Sequence, residues 1–144
     1  MFTLYGERLK DSVGIFKVVS TKENLALPLA DFWALLSQAL VDVGWGRVED
    51  VELTKAIAES PLVKEAVKPI LDELYDGLIY IMRSYGSTWP EEDLKHLAEY
   101  AFGINHFGYN LRIRQSEQAA DKTLVLTREL EYYLICKAVN EPPP

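Results

Sequence analysis

Apolar residues recur every three or four positions along most of the chain, which is the spacing that predicts amphipathic helices. Residues 28–44, PLADFWALLSQALVDVG, give a clear example. Its apolar positions recur at spacings of three and four, at Phe32, Leu35, Leu36, Leu40 and Val43, and Gly44 is a natural C-terminal stop. The pattern therefore predicts a helix that buries one face.

The longest apolar stripe follows a good helix start signal. Ser60 is a capping residue and Pro61 suits the first helical position. Pro69 lacks the amide hydrogen that a helix interior needs, which predicts a kink or a break near Lys68. Gly86 ends the pattern. The stripe consists of Val63, Val67, Ile70, Leu74, Leu78, Ile81 and Tyr85.

Four further segments complete the predicted elements. Residues 90–108 form a helix with an apolar side opposite an acidic one, and residues 47–59 fit a shorter helix. Residues 118–139 are predicted to be helical, although they also alternate passably as a strand. Their apolar positions are Leu126, Leu130, Tyr133 and Leu134. Residues 1–27 fit a helix and a strand equally well. The fold class is mostly α, a compact bundle of four to five helices, with a short β-hairpin at the N-terminus or after residue 110 as an open alternative.

Length and composition limit the classes of protein that fit. The chain has 144 residues, so we expect a single helical domain over residues 1–140, followed by a disordered proline tail at 141–144. Cys136 is the sole cysteine, which excludes an internal disulfide framework and suits a reducing cytoplasm. The start resembles no signal peptide, and no apolar run is long enough to span a membrane. The net charge of −7 argues against a general nucleic-acid coat.

The segment around LRIR is the best candidate for a binding surface. We expect the preceding helix to end near residues 108–110, after which LRIR alternates as an extended strand. Arg112 and Arg114 would then stand side by side on an exposed edge, beside Tyr109 and Phe107. Arginine next to aromatic rings is typical of surfaces that stack bases and hold phosphates. These four residues are therefore the predicted nucleic-acid contacts.

A purely structural interpretation competes with this one. The rings would pack inward, and the two arginines would pair with Glu117 or Asp121.

Trp45 and Trp89 lie at element boundaries, where they would fill the ends of the bundle. If exposed, they would instead anchor an interface.

No catalytic, metal or cofactor motif is recognisable. Glu92, His96, Glu99 and His106 share the polar side of their helix, where a glutamate and a histidine one turn apart are an ordinary surface pair. Cys136 sits in an apolar segment and reads as a small core residue. We therefore expect a protein that is not an enzyme and holds neither a metal nor a cofactor.

The order of elements resembles the small helical subunit of archaeal type I-A CRISPR interference complexes. The resemblance covers roughly residues 30–115, from LADFWALLSQALVDVG through AIAESPLVKEAVKPILDEL to a mixed C-terminal part. It implies a non-catalytic subunit of an antiviral, RNA-guided nucleoprotein complex, with other protein subunits as partners. RNA or single-stranded DNA contact would fall to Arg112 and Arg114.

A second resemblance is to small-molecule-binding α/β domains of the vinyl-reductase type. DFWALLSQALVDVGWGRVEDVEL is similar to their helix-then-strand opening, with GWGRVE entering the strand. Those domains usually end in a paired-cysteine segment, whereas this chain has only Cys136. The two interpretations predict different surfaces. A subunit leaves an apolar patch exposed, and a ligand-binding domain encloses an apolar pocket of about 300 Å³ or more.

Overall fold

The computed structural model describes residues 2–43, Ala56 and residues 59–144, and this part of the chain is almost entirely helical. Its elements are α1 (Phe2–Val19), a short 3-10 turn (Asn24–Ala26), α2 (Leu29–Asp42), α3 (Pro61–Ser84), α4 (Glu91–Arg112) and α5 (Glu117–Asn140). The prediction of a mostly α bundle is confirmed. Neither alternative hairpin forms, because α1 covers the N-terminal segment and α4 runs past residue 110. The helix predicted over 47–59 falls almost wholly outside the described residues, as does Trp45.

The helix boundaries are set by the local chemistry that the sequence indicates. The Ser60 hydroxyl accepts a hydrogen bond from the Val63 amide at 3.4 Å, and Ser116 caps α5 in the same way through the Ala119 amide at 3.3 Å. Gly86 follows α3 with φ +95°, a left-handed conformation that glycine adopts at little cost.

Pro69 does not break α3, so of the kink or break predicted near Lys68 the break is wrong. The helix is continuous from Pro61 to Ser84. Pro69 is exposed, so water can satisfy the carbonyl that loses its amide partner, while Val67 and Leu74 on the other side are buried. Core packing on the buried face therefore holds the helix together through the proline.

α3 is the central helix, and its apolar stripe joins three groups of core residues. Leu78 and Met82 pack with side chains of α4 and α5, Val67 and Leu74 pack with α1, and Ile81 packs with α1 and α2. Burying an aliphatic side chain of this size contributes about 1.5–3 kcal/mol. The stripe predicted from the sequence thus contributes to each of the three core groups.

Trp89 closes one end of the bundle, as predicted. It is buried, and its indole Nε1 donates to the carbonyl of Glu141 at 2.7 Å. Beside it the Ser87 hydroxyl donates to the carbonyl of Ala138 at 2.6 Å. These two bonds tie the start of α4 to the end of α5, and the exposed residues 142–144 follow.

The helices α4 and α5 form an antiparallel pair with an unusually close approach. A Cβ atom on Gly108 would lie 2.7 Å from Thr127 Oγ1 and 3.3 Å from Thr127 Cγ2. Gly108 is therefore needed for the approach of the two helices and does not mark a helix end. The prediction that the helix stops at residues 108–110 is wrong for this reason, since α4 continues to Arg112.

Candidate docking groove on α4 and α5

The helix α5 leaves a row of large apolar side chains exposed to water. Leu126, Leu130 and Tyr133, three residues of the predicted stripe, are all exposed, Leu126 by 64%. Ile135 and Ala138, on the opposite side, are fully buried. A surface helix in a finished bundle normally carries polar side chains on the side that faces water. The exposed stripe therefore has the character of a face that is covered by something outside this chain.

The inward face of α5 carries a polar pair that sequence analysis missed. Arg128 and Glu131 follow Leu124 and precede Ile135 at helical spacing, so all four share one side of the helix. Burial raises the pKa of the Glu131 carboxyl to about 8, although the nearby Arg128 acts to lower it. The sequence places these two charges opposite the leucine stripe, on the side that also carries Leu124 and Ile135.

The helix α4 extends the exposed apolar surface. Tyr100 and Phe107 are exposed, Phe107 by 67%, and they lie two turns apart on one side of the helix. Together with Leu130 of α5 they border a surface groove of about 610 Å³. We call this the docking groove; it is lined by His96, Glu99, Tyr100, Gly103, Ile104, Phe107 and Leu130.

Gly103 leaves space in the docking groove. A Cβ atom at this position would meet nothing within 4 Å, in contrast to Gly108 one turn and a half further on. The bare backbone between Tyr100 and Phe107 therefore leaves a gap between two rings. Such a gap between aromatic side chains is suited to receive an apolar side chain from another helix.

The predicted nucleic-acid contacts are placed differently from the expectation. Arg112 is the last residue of α4, is half-buried and already interacts with other groups. Arg114 lies in the turn that follows, is exposed, and its Nε donates to the carbonyl of Asn110 at 3.3 Å. The two arginines do not stand side by side on a strand edge, because no strand forms here. The side chain of Tyr109 lies outside the described part of the structure.

Phe107 belongs to the docking groove and is separate from Arg112. The two residues are five positions apart in one helix, so they point about 140° away from each other around its axis. Arg114 lies beyond the helix end. Of the four predicted contacts, Phe107 and Arg114 are the exposed ones with described side chains.

The other candidates remain surface or core residues. Glu92, His96 and Glu99 are exposed, and the side chain of His106 is not described. Within residues 2–43 and 59–144, no three His, Cys, Asp or Glu side chains group as metal ligands would. Cys136 is half-buried. Among the described helices, none has both the length and the apolar character needed to cross a bilayer.

No protein-family model, curated protein or solved structure matches the chain. Both resemblances therefore stay predictions, and the geometry of α4 and α5 carries the functional argument. The strand that the vinyl-reductase resemblance predicts at GWGRVE lies outside the described residues. The described part of the chain contains helices and turns but no strand.

Proposed function

We propose that this protein is a non-catalytic subunit of a larger assembly and that a neighbouring subunit binds in the docking groove. The observation that carries the proposal is the exposed apolar stripe of α5. Its leucine and tyrosine stripe is exposed, while Arg128 and Glu131 line the interior. Leaving large apolar side chains in water on one continuous surface is typical of a site that a partner covers.

The proposed occupant is an amphipathic helix of a different subunit. A groove between two antiparallel helices accepts a third helix, whose apolar side chains alternate with those of the groove. The net charge of −7 opposes association with a second copy of this chain. Glu99 lines the groove, and Glu92 is exposed on the same helix. We therefore expect basic residues beside the apolar face of the partner helix.

The assembly is proposed to be a nucleoprotein complex of the CRISPR interference type. The support is the resemblance in element order over roughly residues 30–115. Arg114 is the first choice for contact with RNA or single-stranded DNA because it is exposed, and Arg112 would support it from the end of α4. Binding at the docking groove does not depend on this part of the proposal.

The contribution of the groove to binding can be bounded. Each large apolar side chain that becomes fully buried contributes about 1.5–3 kcal/mol, from which the entropic cost of association must be subtracted. A charge placed at Leu130 removes one such contribution and leaves the charge desolvated in the interface. We expect the Leu130→Glu variant to lose at least about 2 kcal/mol, roughly thirtyfold in affinity.

The test is a tagged pull-down from the native host, with and without nuclease, read by mass spectrometry. The wild type is compared with Leu130→Glu and with the control Leu62→Glu, whose side chain is 83% exposed on α3 outside the groove. The proposal expects the same partner with the wild type and with Leu62→Glu, and loss of it with Leu130→Glu. Partners lost on nuclease treatment support a nucleoprotein assembly. Equal recovery with all three proteins would overturn the groove as the docking site.

A further inference from the structure

The exposed residues of the docking groove recur with the same alternation on both of its helices. On α4 they follow each other at spacings of four, three and four, at His96, Tyr100, Gly103 and Phe107. On α5 the exposed stripe has spacings of four and three, at Leu126, Leu130 and Tyr133. Alternation between three and four is the heptad pattern of helices that pack side by side in a left-handed coiled coil.

The helices α4 and α5 also cross at the shallow angle that such packing needs. At one end Gly108 lies against Thr127, and at the other the indole of Trp89, just before α4, donates to the carbonyl of Glu141. The contact therefore extends from Thr127 to Glu141, over about 21 Å of α5. Helices that cross at about 50° separate over this length, whereas helices that cross near about 20° stay together. A third helix therefore meets a long groove and not a single crossing point.

The outer rim of the groove on α4 is acidic. Glu92 and Glu99 are exposed and seven residues apart, so they occupy equivalent places in successive heptads. At about 100° per residue they point within about 80° of Phe107, whereas the exposed Lys95 points about 120° away from it. Charges that flank the apolar seam of a coiled coil select partners with the opposite charge at the facing positions. This rim therefore favours a basic partner.

The rim on α5 adds no preference for either sign of charge. Lys122 and Glu129 are exposed and also seven residues apart, but their charges are opposite. Lys137 continues the row of the stripe and is already paired with Glu141 at 2.6 Å. The sign of charge on the partner is therefore set on the α4 side.

We propose that the occupant of the docking groove is a helix of about two heptads that forms a three-helix coiled coil with α4 and α5 and carries two basic residues, seven positions apart, facing Glu92 and Glu99. This inference rests on the proposed function, because it specifies the partner helix of that same groove. The groove residues of α4 extend from His96 to Phe107, about 17 Å along the helix, which sets the length of the partner helix. Its apolar seam fills the groove, where Gly103 leaves room for one side chain.

Charge reversal tests the basic residues of the partner. The protein that the wild type captures in the pull-down is purified, and its affinity is measured by calorimetry at low and at high salt. Glu92→Lys with Glu99→Lys should bind it at least about tenfold more weakly than the wild type at low salt, with a smaller difference at high salt. Exchange of the two facing basic residues of the partner for glutamate should restore the affinity.

A matched control separates the rim from the overall charge. Glu65→Lys with Glu73→Lys reverses two exposed acids of α3, which changes the net charge of −7 by the same amount. This variant should bind within about twofold of the wild type, because its charges lie outside the groove. If the reversal at Glu92 prevents folding, Glu99→Lys is compared with Glu73→Lys alone, and a loss of about threefold is expected from Glu99→Lys only.

Site-specific photocrosslinking tests the coiled-coil geometry. A photoreactive amino acid replaces His96 in one protein and Phe107 in another. Because the helices of a coiled coil run alongside each other, the two positions should crosslink to partner residues about eleven positions apart in one helix. A steep crossing would bring only one of the two positions into contact.

Failure of this inference is distinguishable from failure of the proposed function. A partner that is lost with Leu130→Glu but binds the charge-reversed protein as tightly as the wild type would overturn the basic residues. Crosslinks from only one position, or to partner residues with a different separation, would overturn the coiled coil. The docking groove would stand in both cases. Capture of no partner, or of a partner that Leu130→Glu retains, would overturn the groove and this inference with it.

Discussion

The two helical glycines of α4 make a matched pair that tests the close approach of α4 and α5. Replacing either glycine by alanine within a helix should add about 1 kcal/mol of stability through helix propensity. At Gly103 the new methyl group meets nothing, so this gain should be observed in full. At Gly108 the methyl group would lie 2.7 Å from Thr127 Oγ1, so one of the two residues must move.

The movement at Gly108 has a cost that can be estimated. Thr127 Oγ1 donates to the carbonyl of Thr123 at 2.8 Å, and rotating the side chain away breaks a bond with a net value of about 1 kcal/mol. Overpacking of a close helix contact adds about 1–3 kcal/mol. Because the propensity gain is common to both variants, we expect Gly108→Ala to be about 2 kcal/mol less stable than Gly103→Ala.

Urea unfolding followed by circular dichroism measures this difference. At a slope of about 2 kcal/mol per M, it corresponds to midpoints that are roughly 1 M apart. The double variant Gly108→Ala with Thr127→Ala removes the obstructing atoms and should recover most of the loss. Equal stabilisation by both single variants would refute the close approach, and with it the placement of the groove on a rigid helix pair.

Three further predictions concern Glu131, the exposed stripe and Arg114. The Glu131 carboxyl has a pKa of about 8 in the folded state and about 4.5 in the unfolded state, so the wild type should lose stability relative to Glu131→Gln as the pH rises between these values. The total loss should be a few kcal/mol. Parallel urea titrations measure it, and the two proteins should be equally stable below pH 4.5. Leu130→Ser should change the free energy of unfolding by less than about 0.5 kcal/mol in thermal or urea unfolding. Leu94→Ala, at a fully buried position, should lower it by about 2–5 kcal/mol. A large loss from Leu130→Ser would mean that the stripe is part of the core. Arg114→Glu should weaken association with single-stranded RNA or DNA in a low-salt filter-binding assay, and the helical circular dichroism should stay the same. Unchanged association would remove this residue from the proposed nucleic-acid contact.

Periodicity predicted most of the helices because one signal dominated each segment. The stripe of α3 is apolar on one side from Val63 to Tyr85, and no competing face of similar strength exists there. Capping chemistry then located the ends, as with Ser60 and Gly86. Local sequence is sufficient where propensity, pattern and capping agree.

The orientation of α5 could not be predicted from the same signal. Leu126 and Leu130 lie on an apolar side of this helix, and burial of that side is the default expectation for a protein alone in water. The structure turns the side with Ile135 and Ala138 inward, together with the half-buried Arg128 and Glu131, and leaves the two leucines exposed. This orientation becomes understandable if the leucine side binds a partner. A single chain carries no information about a partner that is absent from its sequence.

Gly108 was misinterpreted because glycine has two uses that look alike in sequence. It is common at helix ends, where the backbone turns, and at helix crossings, where a side chain would obstruct the neighbour. The obstruction comes from Thr127, which is nineteen residues away in the chain. Only the tertiary contact distinguishes the two uses, and the misplaced helix end led directly to the wrong strand for LRIR.

Site-specific photocrosslinking in the native host tests the docking groove most directly. A photoreactive amino acid replaces Phe107 or Leu130 in the groove, and Leu62 on α3 as the control. We predict that both groove positions crosslink to the same protein, through a segment of that protein that is helical and apolar on one side, and that position 62 does not. Crosslinks of equal yield from all three positions, or no intermolecular crosslink from either groove position, would contradict the account.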